Sequence, residues 1–124
     1  TGTRDIWAGY LKSQAGSVIE FKKLGYMSFM QEILNSDQRL VILRSLVECG
    51  DSANESILQT CLQTYGHRVS RDTVRTLLAW LREQGLVTLS DVSGCYVAGI
   101  TGRGEDVAFG LATVPGVKKP RARE

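Results

Sequence analysis

The feature that most constrains the fold is a change in the spacing of apolar residues at Gly85. Before this glycine, apolar residues recur every three or four positions, as they do on one face of a helix. After it, Val87 and Leu89 alternate with polar residues, which is typical of a half-buried strand. The sequence therefore predicts helices first and a small β-structure afterwards.

Two helices are predicted in the middle of the chain. The first covers residues 38–49 and follows the polar pair at 36–37, which favours a helix start. The second begins at Ser52 and Glu55, which have the spacing of a capping box, and it ends at Gly66. Because both helices are amphipathic, each is expected to bury one face.

A third helix is predicted over residues 70–84, with Ser70 as its N-cap. Its apolar stripe consists of Val74, Leu77, Leu78 and Leu81. A hairpin follows, with a turn over 91–94 and a second strand over 95–100. Thr101 then caps a short helix that is expected to reach Leu111 and to turn that residue inward.

The N-terminal part is patterned less clearly. A short helix over residues 27–35 is expected to begin at a capping box of Ser28 and Gln31. We interpret Met27 as the natural start, so that residues 1–26 form an N-terminal extension, native or added. Shorter elements are expected upstream: a helical turn over 6–11 and a strand over 17–21.

Charge is distributed unevenly along the chain. The net charge is +2, yet residues 36–110 carry −2 and residues 111–124 carry +3. The whole chain is therefore not a strongly basic protein, and contacts with nucleic acid must come from local patches. We divide the chain into the extension, a domain over 27–112 and a basic flexible tail over 113–124.

The order of three helices followed by a hairpin is that of a winged helix-turn-helix. Residues 70–75 and 81–87 resemble the recognition helix and first wing strand of MarR-like and ArsR-like regulators. Thr101 with Gly104 is similar to the helix start that closes the wing in those families. The predicted fold class is therefore mainly α with a small β-hairpin, a winged helix-turn-helix.

A narrower resemblance rests on residues 37–43, 66–72 and 113–118. These resemble a family of small winged-helix proteins of Mu-like phages, found among late genes near the DNA-packaging genes. The resemblance covers residues 27–121. It implies a DNA-binding protein of the bacterial host cytoplasm, as a homodimer, that acts in transcriptional regulation or in DNA packaging.

The third helix carries the predicted contacts with double-stranded DNA. Arg71 and Arg75 are expected to read base edges, because arginine bonds guanine in a bidentate way, and Thr76 suits a thymine methyl group. Ser70 and Thr73 are expected to bond phosphate oxygens near the helix N-terminus. The complete predicted DNA-binding set is Arg68, Ser70, Arg71, Asp72, Thr73, Arg75, Thr76, Arg82, Lys118, Lys119 and Arg121.

Other interpretations stay open for each of these surfaces. Arg and Thr on a helix face are also what a solvated face carries, and Asp72 and Glu83 dilute the charge. The predicted wing tip, residues 91–94, has no Lys or Arg, so a weak contact or a structural role is expected there. The tail either neutralises phosphates or only aids solubility. A protein-interaction winged helix in phage assembly is the second functional hypothesis.

Catalytic, metal and membrane functions are disfavoured. His67 is the single histidine and has no nucleophile pattern beside it, so neither an enzyme nor a cofactor is expected. Cys49, Cys61 and Cys95 lack the close spacing of a metal site and are predicted to be buried thiols. Trp80 is expected to pack under the wing or against the N-terminal arm. Apolar runs such as residues 77–81 are far too short to span a bilayer.

Overall fold

The computed structural model describes the backbone of residues 18–121 and the side chains of residues 28–121, so the helical turn expected over 6–11 lies outside the described residues. The described chain forms four helices and a three-stranded antiparallel sheet. In order, these are α1 (Val18–Glu48), β1 (Ser52–Asn54), α2 (Glu55–Thr64), α3 (Arg71–Glu83), β2 (Val87–Val92), β3 (Cys95–Ile100) and α4 (Gly102–Ala108). Contacts divide the chain at residue 34, and the fold below is that of the unit from residue 35 onward.

Helix α1 is longer than the sequence suggests. A strand at 17–21 and fresh helix starts near residues 28 and 38 were all expected, but one helix runs through from Val18 to Glu48. These expectations are wrong because this stretch contains no proline and one glycine, and a single glycine costs a helix only about 1 kcal/mol. The predicted boundary at residue 27 therefore falls inside a continuous helix.

The sheet contains a strand that the sequence did not predict. In β1, Ser52 pairs with Gly99, Ala53 with Ala98 and Asn54 with Val97. The expected capping box at Ser52 is thus wrong, since Ser52 lies in a strand. The N-cap of α2 is Asn54, whose Oδ1 accepts a hydrogen bond from the Ile57 backbone N–H at 2.8 Å.

The structure confirms the third helix and the hairpin that the sequence predicts. Ser70 caps α3 by accepting a hydrogen bond from the Thr73 N–H at 3.1 Å, and the whole predicted apolar stripe is buried. Strands β2 and β3 pair in register from Val87–Ile100 to Val92–Cys95, in the sheet order β1-β3-β2. Ser93 and Gly94 both have positive φ, as a two-residue hairpin turn requires.

The core lies between the inner faces of α1, α2, α3 and α4 and one face of the sheet. Its largest fully buried apolar side chains are Ile42, Leu43, Leu46, Leu58, Leu62, Leu78, Leu81, Leu86, Val74 and Val107. Helix α4 ends at Ala108, earlier than expected, and Leu111 beyond it is 78% exposed instead of inward.

The segment after α4 packs onto the unit. Val114 is buried, and the Lys118 N–H donates to the Ser36 carbonyl at 3.1 Å. The guanidinium of Arg39 lies 3.9 Å from the centre of the Trp80 ring and donates to the Gly116 carbonyl at 2.9 Å. The flexible tail predicted from residue 113 is therefore a packed segment as far as 118.

Two further expectations about side chains need correction. Trp80 contacts Arg39 and lies close to the backbone of Gly116, two partners that the sequence did not indicate, while most of the N-terminal arm lies outside the described residues. Cys49 is exposed, and Cys61 and Cys95 are only partly buried. The apolar spacing misled here because Cys49 is the residue that directly follows α1, where the chain turns outward.

Two glycines of α4 provide a matched test of how closely this helix packs against Leu86 and Ile100. A Cβ at Gly104 would collide with the Leu86 carbonyl oxygen and lie 2.8 Å from Ile100 Cγ1, whereas one at Gly102 would meet open space. Gly104→Ala is expected to lower the free energy of unfolding by about 1–3 kcal/mol through overpacking. Gly102→Ala should leave it unchanged or raise it by up to about 1 kcal/mol. Urea unfolding of both variants measures the difference, and equal stabilities would contradict the close approach.

Candidate nucleic-acid interface

Helices α2 and α3 are joined by a tight turn. Gly66 has φ +91°, and the N–H of His67 donates to the Leu62 carbonyl at 2.8 Å, which closes the end of α2. The side chain of Gln59 donates to the Val69 carbonyl at 3.0 Å and so holds the end of the turn against α2. The start of α3 is thereby fixed relative to α2.

The outer surface of α3 divides into a ridge and a flank. Asp72, Thr76, Ala79 and Glu83 follow one another at helical spacing opposite the buried stripe, and we call them the outer ridge. Arg71, Arg75 and Arg82 lie on one side of that ridge, and we call them the arginine flank. The ridge therefore has a carboxylate near each end, while the positive charges stand beside it.

The predicted contact residues differ in their exposure. Arg71, Asp72, Thr76 and Arg82 are exposed on α3, whereas Thr73 and Arg75 are partly buried. Before the helix, Arg68 and Ser70 are exposed as well. Ser70 Oγ accepts the N-cap hydrogen bond and lies 3.1 Å from the hydroxyl of Thr73, so these two side chains already contact each other.

Glu55 is an ionisable residue whose role the sequence did not indicate. Its side chain has no exposed surface, and its carboxylate oxygens accept hydrogen bonds from Arg75 Nε at 2.7 Å and Nη2 at 2.9 Å. Oε2 also accepts from the Tyr96 backbone N–H at 3.1 Å, and Arg71 Nη1 lies 3.9 Å away. The hydrogen bonds from Arg75 outweigh burial and lower the pKa of Glu55 to about 2.

Arg75 extends this contact to the hairpin. Its Nη2 donates to the Gly94 carbonyl at 2.7 Å, and its guanidinium lies 4.6 Å from the centre of the Tyr96 ring. Arg71, by comparison, donates from Nε to Gln59 at 3.3 Å and keeps about half of its side chain exposed. Of the two arginines predicted to read bases, Arg75 is therefore the one engaged by buried protein groups.

Sequence reasoning missed Glu55 because its partners are distant in the chain. Arg75 is 20 residues away and Tyr96 is 41 residues away, so neither the helical nor the strand period links them to Glu55. Glu55 was assigned to a capping box with Ser52, a reasonable local interpretation. The available signal was its position directly after Asn54, a strong N-cap residue in its own right.

The C-terminal segment lies beside the turn between α2 and α3. Gln38 Nε2 is 3.3 Å from Nδ1 of His67, which leaves His67 Nε2 to donate to Asp37 Oδ2 at 2.6 Å. Lys118 Nζ contacts the other oxygen of Asp37 at 3.6 Å. Asp37 thus joins α1, the turn and the first basic residue of the segment, while Lys119 and Arg121 are exposed or partly so at the surface.

Histidine, cysteine and carboxylate side chains are the groups that could hold a metal ion. Within residues 28–121, no three His, Cys, Asp or Glu side chains come close enough together to hold a metal ion. The two ring nitrogens of His67 contact Gln38 and Asp37. No helix among residues 18–121 combines the length and the apolar character needed to cross a membrane.

Similarity to known proteins places the chain in a family. It is 58% identical over 94 residues to the uncharacterized protein gp26 of Escherichia phage Mu, covering 76% of this chain and 98% of that protein. The chain belongs to the family of phage Mu gp26. An uncharacterized protein of Haemophilus influenzae is 55% identical over 78 residues, which cover 62% of this chain and 76% of the relative. The resemblance to Mu-like phage proteins is thereby confirmed.

Other comparisons with this gp26-family chain give no match. No model of a described protein family matches it, and no solved structure matches it. The assignment to the Mu gp26 family therefore rests on sequence identity, and any function must be argued from the geometry above.

The buried Glu55 predicts a specific pH dependence of stability. Its pKa in the folded chain, about 2, lies below the ordinary 4.5, so its stabilising contribution is complete above about pH 5 and is lost as the pH falls towards 2. Glu55→Gln is expected to lower the free energy of unfolding by about 1–3 kcal/mol at pH 7. The gap between the two proteins should narrow below pH 4.5.

Urea unfolding between pH 2.5 and 7 measures this gap. Glu83→Gln, which alters an exposed carboxylate, is the control and should change stability by no more than about 0.5 kcal/mol at pH 7. A gap between wild type and Glu55→Gln that stays constant from pH 7 to pH 2.5 would contradict the assignment.

Proposed function

We propose that this chain is a winged-helix protein that binds double-stranded DNA, with α3 as the recognition helix and the β2–β3 hairpin as the wing. The observation that supports this best is the arrangement of elements: a helix, a short strand, two helices joined by a tight turn, then a hairpin, with sheet order β1-β3-β2. In such an arrangement the outer surface of α3 enters the major groove while the hairpin reaches the neighbouring backbone.

The exposed side chains around α3 suit this role. Arg71 reads guanine, and Thr76, at the centre of the outer ridge, contacts a thymine methyl group. Arg68, Arg82 and the backbone N–H groups at the start of α3 contact phosphate oxygens. Asp72 accepts a hydrogen bond from cytosine N4, the one base contact in the major groove that a carboxylate favours.

The C-terminal segment adds a second source of positive charge. Lys118 is held beside the turn that precedes α3, because it shares Asp37 with His67. Lys119 and Arg121 follow it, so they extend the basic surface that Arg68 begins. Their contacts are to phosphates and carry no sequence preference.

The biological role we propose follows from the family. A Mu-like phage protein that binds duplex DNA acts as a transcriptional regulator of phage or prophage genes, or in the packaging of phage DNA within the bacterial cytoplasm. A homodimer supplies two half-sites and the affinity that one domain of balanced charge lacks. Exposed apolar side chains on α1, namely Phe29, Met30, Ile33 and Leu34, favour such an assembly.

A second candidate is an interaction module that docks another phage protein. The outer ridge favours it, because Asp72 and Glu83 place negative charge where a DNA-binding helix meets the groove. The hairpin tip also favours it, since residues 91–94 contain one acid and no base. The exposed Arg71 and Arg82 favour DNA.

Arginine substitutions separate the two candidates. On a duplex selected from a random library, Arg71→Ala should weaken binding by about 1–3 kcal/mol and leave binding to random duplex nearly unchanged. Arg82→Ala should weaken both equally and reduce the log–log salt slope by about 0.9. Arg103→Ala, which removes an exposed charge from α4, is the matched control and should alter neither value.

Fluorescence anisotropy over a salt series measures these effects on the full chain. Wild-type protein without salt-dependent binding to any duplex would overturn the DNA proposal and favour the interaction module. Equal losses in Arg82→Ala and Arg103→Ala would show attraction by net charge without docking of α3.

A further inference from the structure

The hairpin depends on contacts beyond the sheet for its position. Strand β1 pairs with β3 only at Val97, Ala98 and Gly99, so residues 91–96 of the hairpin extend past the end of β1. Hairpins of two strands are marginally stable in water. Asp91, Val92, Ser93 and Gly94 are all exposed, which means that apolar burial contributes little at the tip.

Glu55 and Arg75 provide the missing contacts. The Glu55 carboxylate bonds the Tyr96 N–H, and Arg75 bonds the Gly94 carbonyl while its guanidinium stacks on the Tyr96 ring. Both residues therefore hold the part of the hairpin that β1 leaves unsupported. Glu55 belongs to α2 and Arg75 to α3, so one ion pair, between a buried carboxylate and a partly exposed guanidinium, joins α2, α3 and the hairpin tip.

The geometry of the pair is specific to arginine. Nε and Nη2 bind the two carboxylate oxygens side by side, and Nη2 also reaches Gly94. Lysine has a single ammonium group and cannot donate along these separate directions from one planar group. These bonds use the Nε hydrogen and both Nη2 hydrogens of Arg75. Only Nη1 keeps free hydrogens, so Arg75 lacks the two neighbouring donor nitrogens that bind guanine in a bidentate way.

We propose that Arg75 and Glu55 are positioning residues whose ion pair, which we call the lock, holds the hairpin tip against α3. The two elements then meet DNA as one rigid surface, and Arg75 itself does not read a base. The proposal rests on the proposed DNA-binding function for its effect on binding, although the lock is a property of the free protein. With the lock in place, the distance between the recognition helix and the hairpin is set before DNA arrives, so ordering the hairpin costs no binding energy.

Hydrogen exchange of the full chain without DNA tests the lock. In Glu55→Gln and in Arg75→Lys, the amides of Gly94 and Tyr96 should exchange at least ten times faster than in wild type. The amides of Ala98, which is paired with β1, and of Leu78, in the core, should change only as much as global stability does. Arg103→Ala is the control and should leave all four amides unchanged.

DNA footprinting tests the consequence for binding. On a selected duplex, both variants should lose protection at the flank that the hairpin covers while keeping the protection and base preference that α3 produces. A general loss of folded protein would weaken both regions together. If Glu55→Gln does not fold, Arg75→Lys, which keeps both charges, serves alone.

The outcomes separate failure of the lock from failure of the function. Wild-type exchange at Tyr96 and Gly94 in a folded Arg75→Lys overturns the lock, whatever the DNA result. Loss of preference at one base pair in Arg75→Lys, with an unchanged hairpin, overturns it too and makes Arg75 a base reader. Faster exchange in a protein that binds no duplex supports the lock and rejects the DNA function.

Discussion

The Glu55 carboxylate is the interaction on which the geometry of the candidate interface depends. A buried charge is costly unless it is paired and hydrogen bonded, so its partners must approach from the directions its oxygens present. Those partners come from α3 and β3, at distances of 2.7–3.1 Å. The carboxylate therefore fixes the relative positions of α2, α3 and β3 at the edge of the core. Its hydrogen bonds are directional, so they fix the orientation of these elements, whereas burial of apolar area has no preferred direction.

This pairing also changes what the positive charge on α3 means. By sequence, Arg71, Arg75 and Arg82 form a basic flank, but Arg75 is neutralised by a carboxylate with no exposed surface. The charge that α3 offers to a partner is then close to balanced, with Arg71 and Arg82 against Asp72 and Glu83. In the proposed DNA complex, affinity therefore draws on groups outside the helix, such as Arg68 and the basic C-terminal segment. A weakly charged recognition surface is compatible with sequence preference, because base contacts and phosphate contacts are separate.

Local patterns predicted the elements whose signals are local. The stripe of α3, the N-cap at Ser70 and the hairpin turn each depend on neighbours within four residues, and the structure confirms them, with the turn predicted over 91–94 reduced to residues 93–94. Strand β1 escaped prediction because three residues cannot display a period, and its pairing depends on β3, more than forty residues away. Long-range charge pairs are invisible to spacing for the same reason. The sequence predicted which residues of α3 face the core and which face outward. The partner of Arg75 could be identified only from the folded structure.

A second arginine holds α3 from its other side. Relative to the outer ridge, Arg75 and Trp80 lie at similar angles in opposite directions around the helix, at about 100° per residue. Arg75 is bound to Glu55 and the hairpin, while Trp80 is covered by the guanidinium of Arg39 and by the backbone at Gly116. Rolling α3 about its axis would break one of these contacts in either direction. The strip between them, which contains Asp72, Thr76 and Ala79, is therefore presented at a fixed angle, so in the proposed complex these side chains meet the partner without reorientation of the helix.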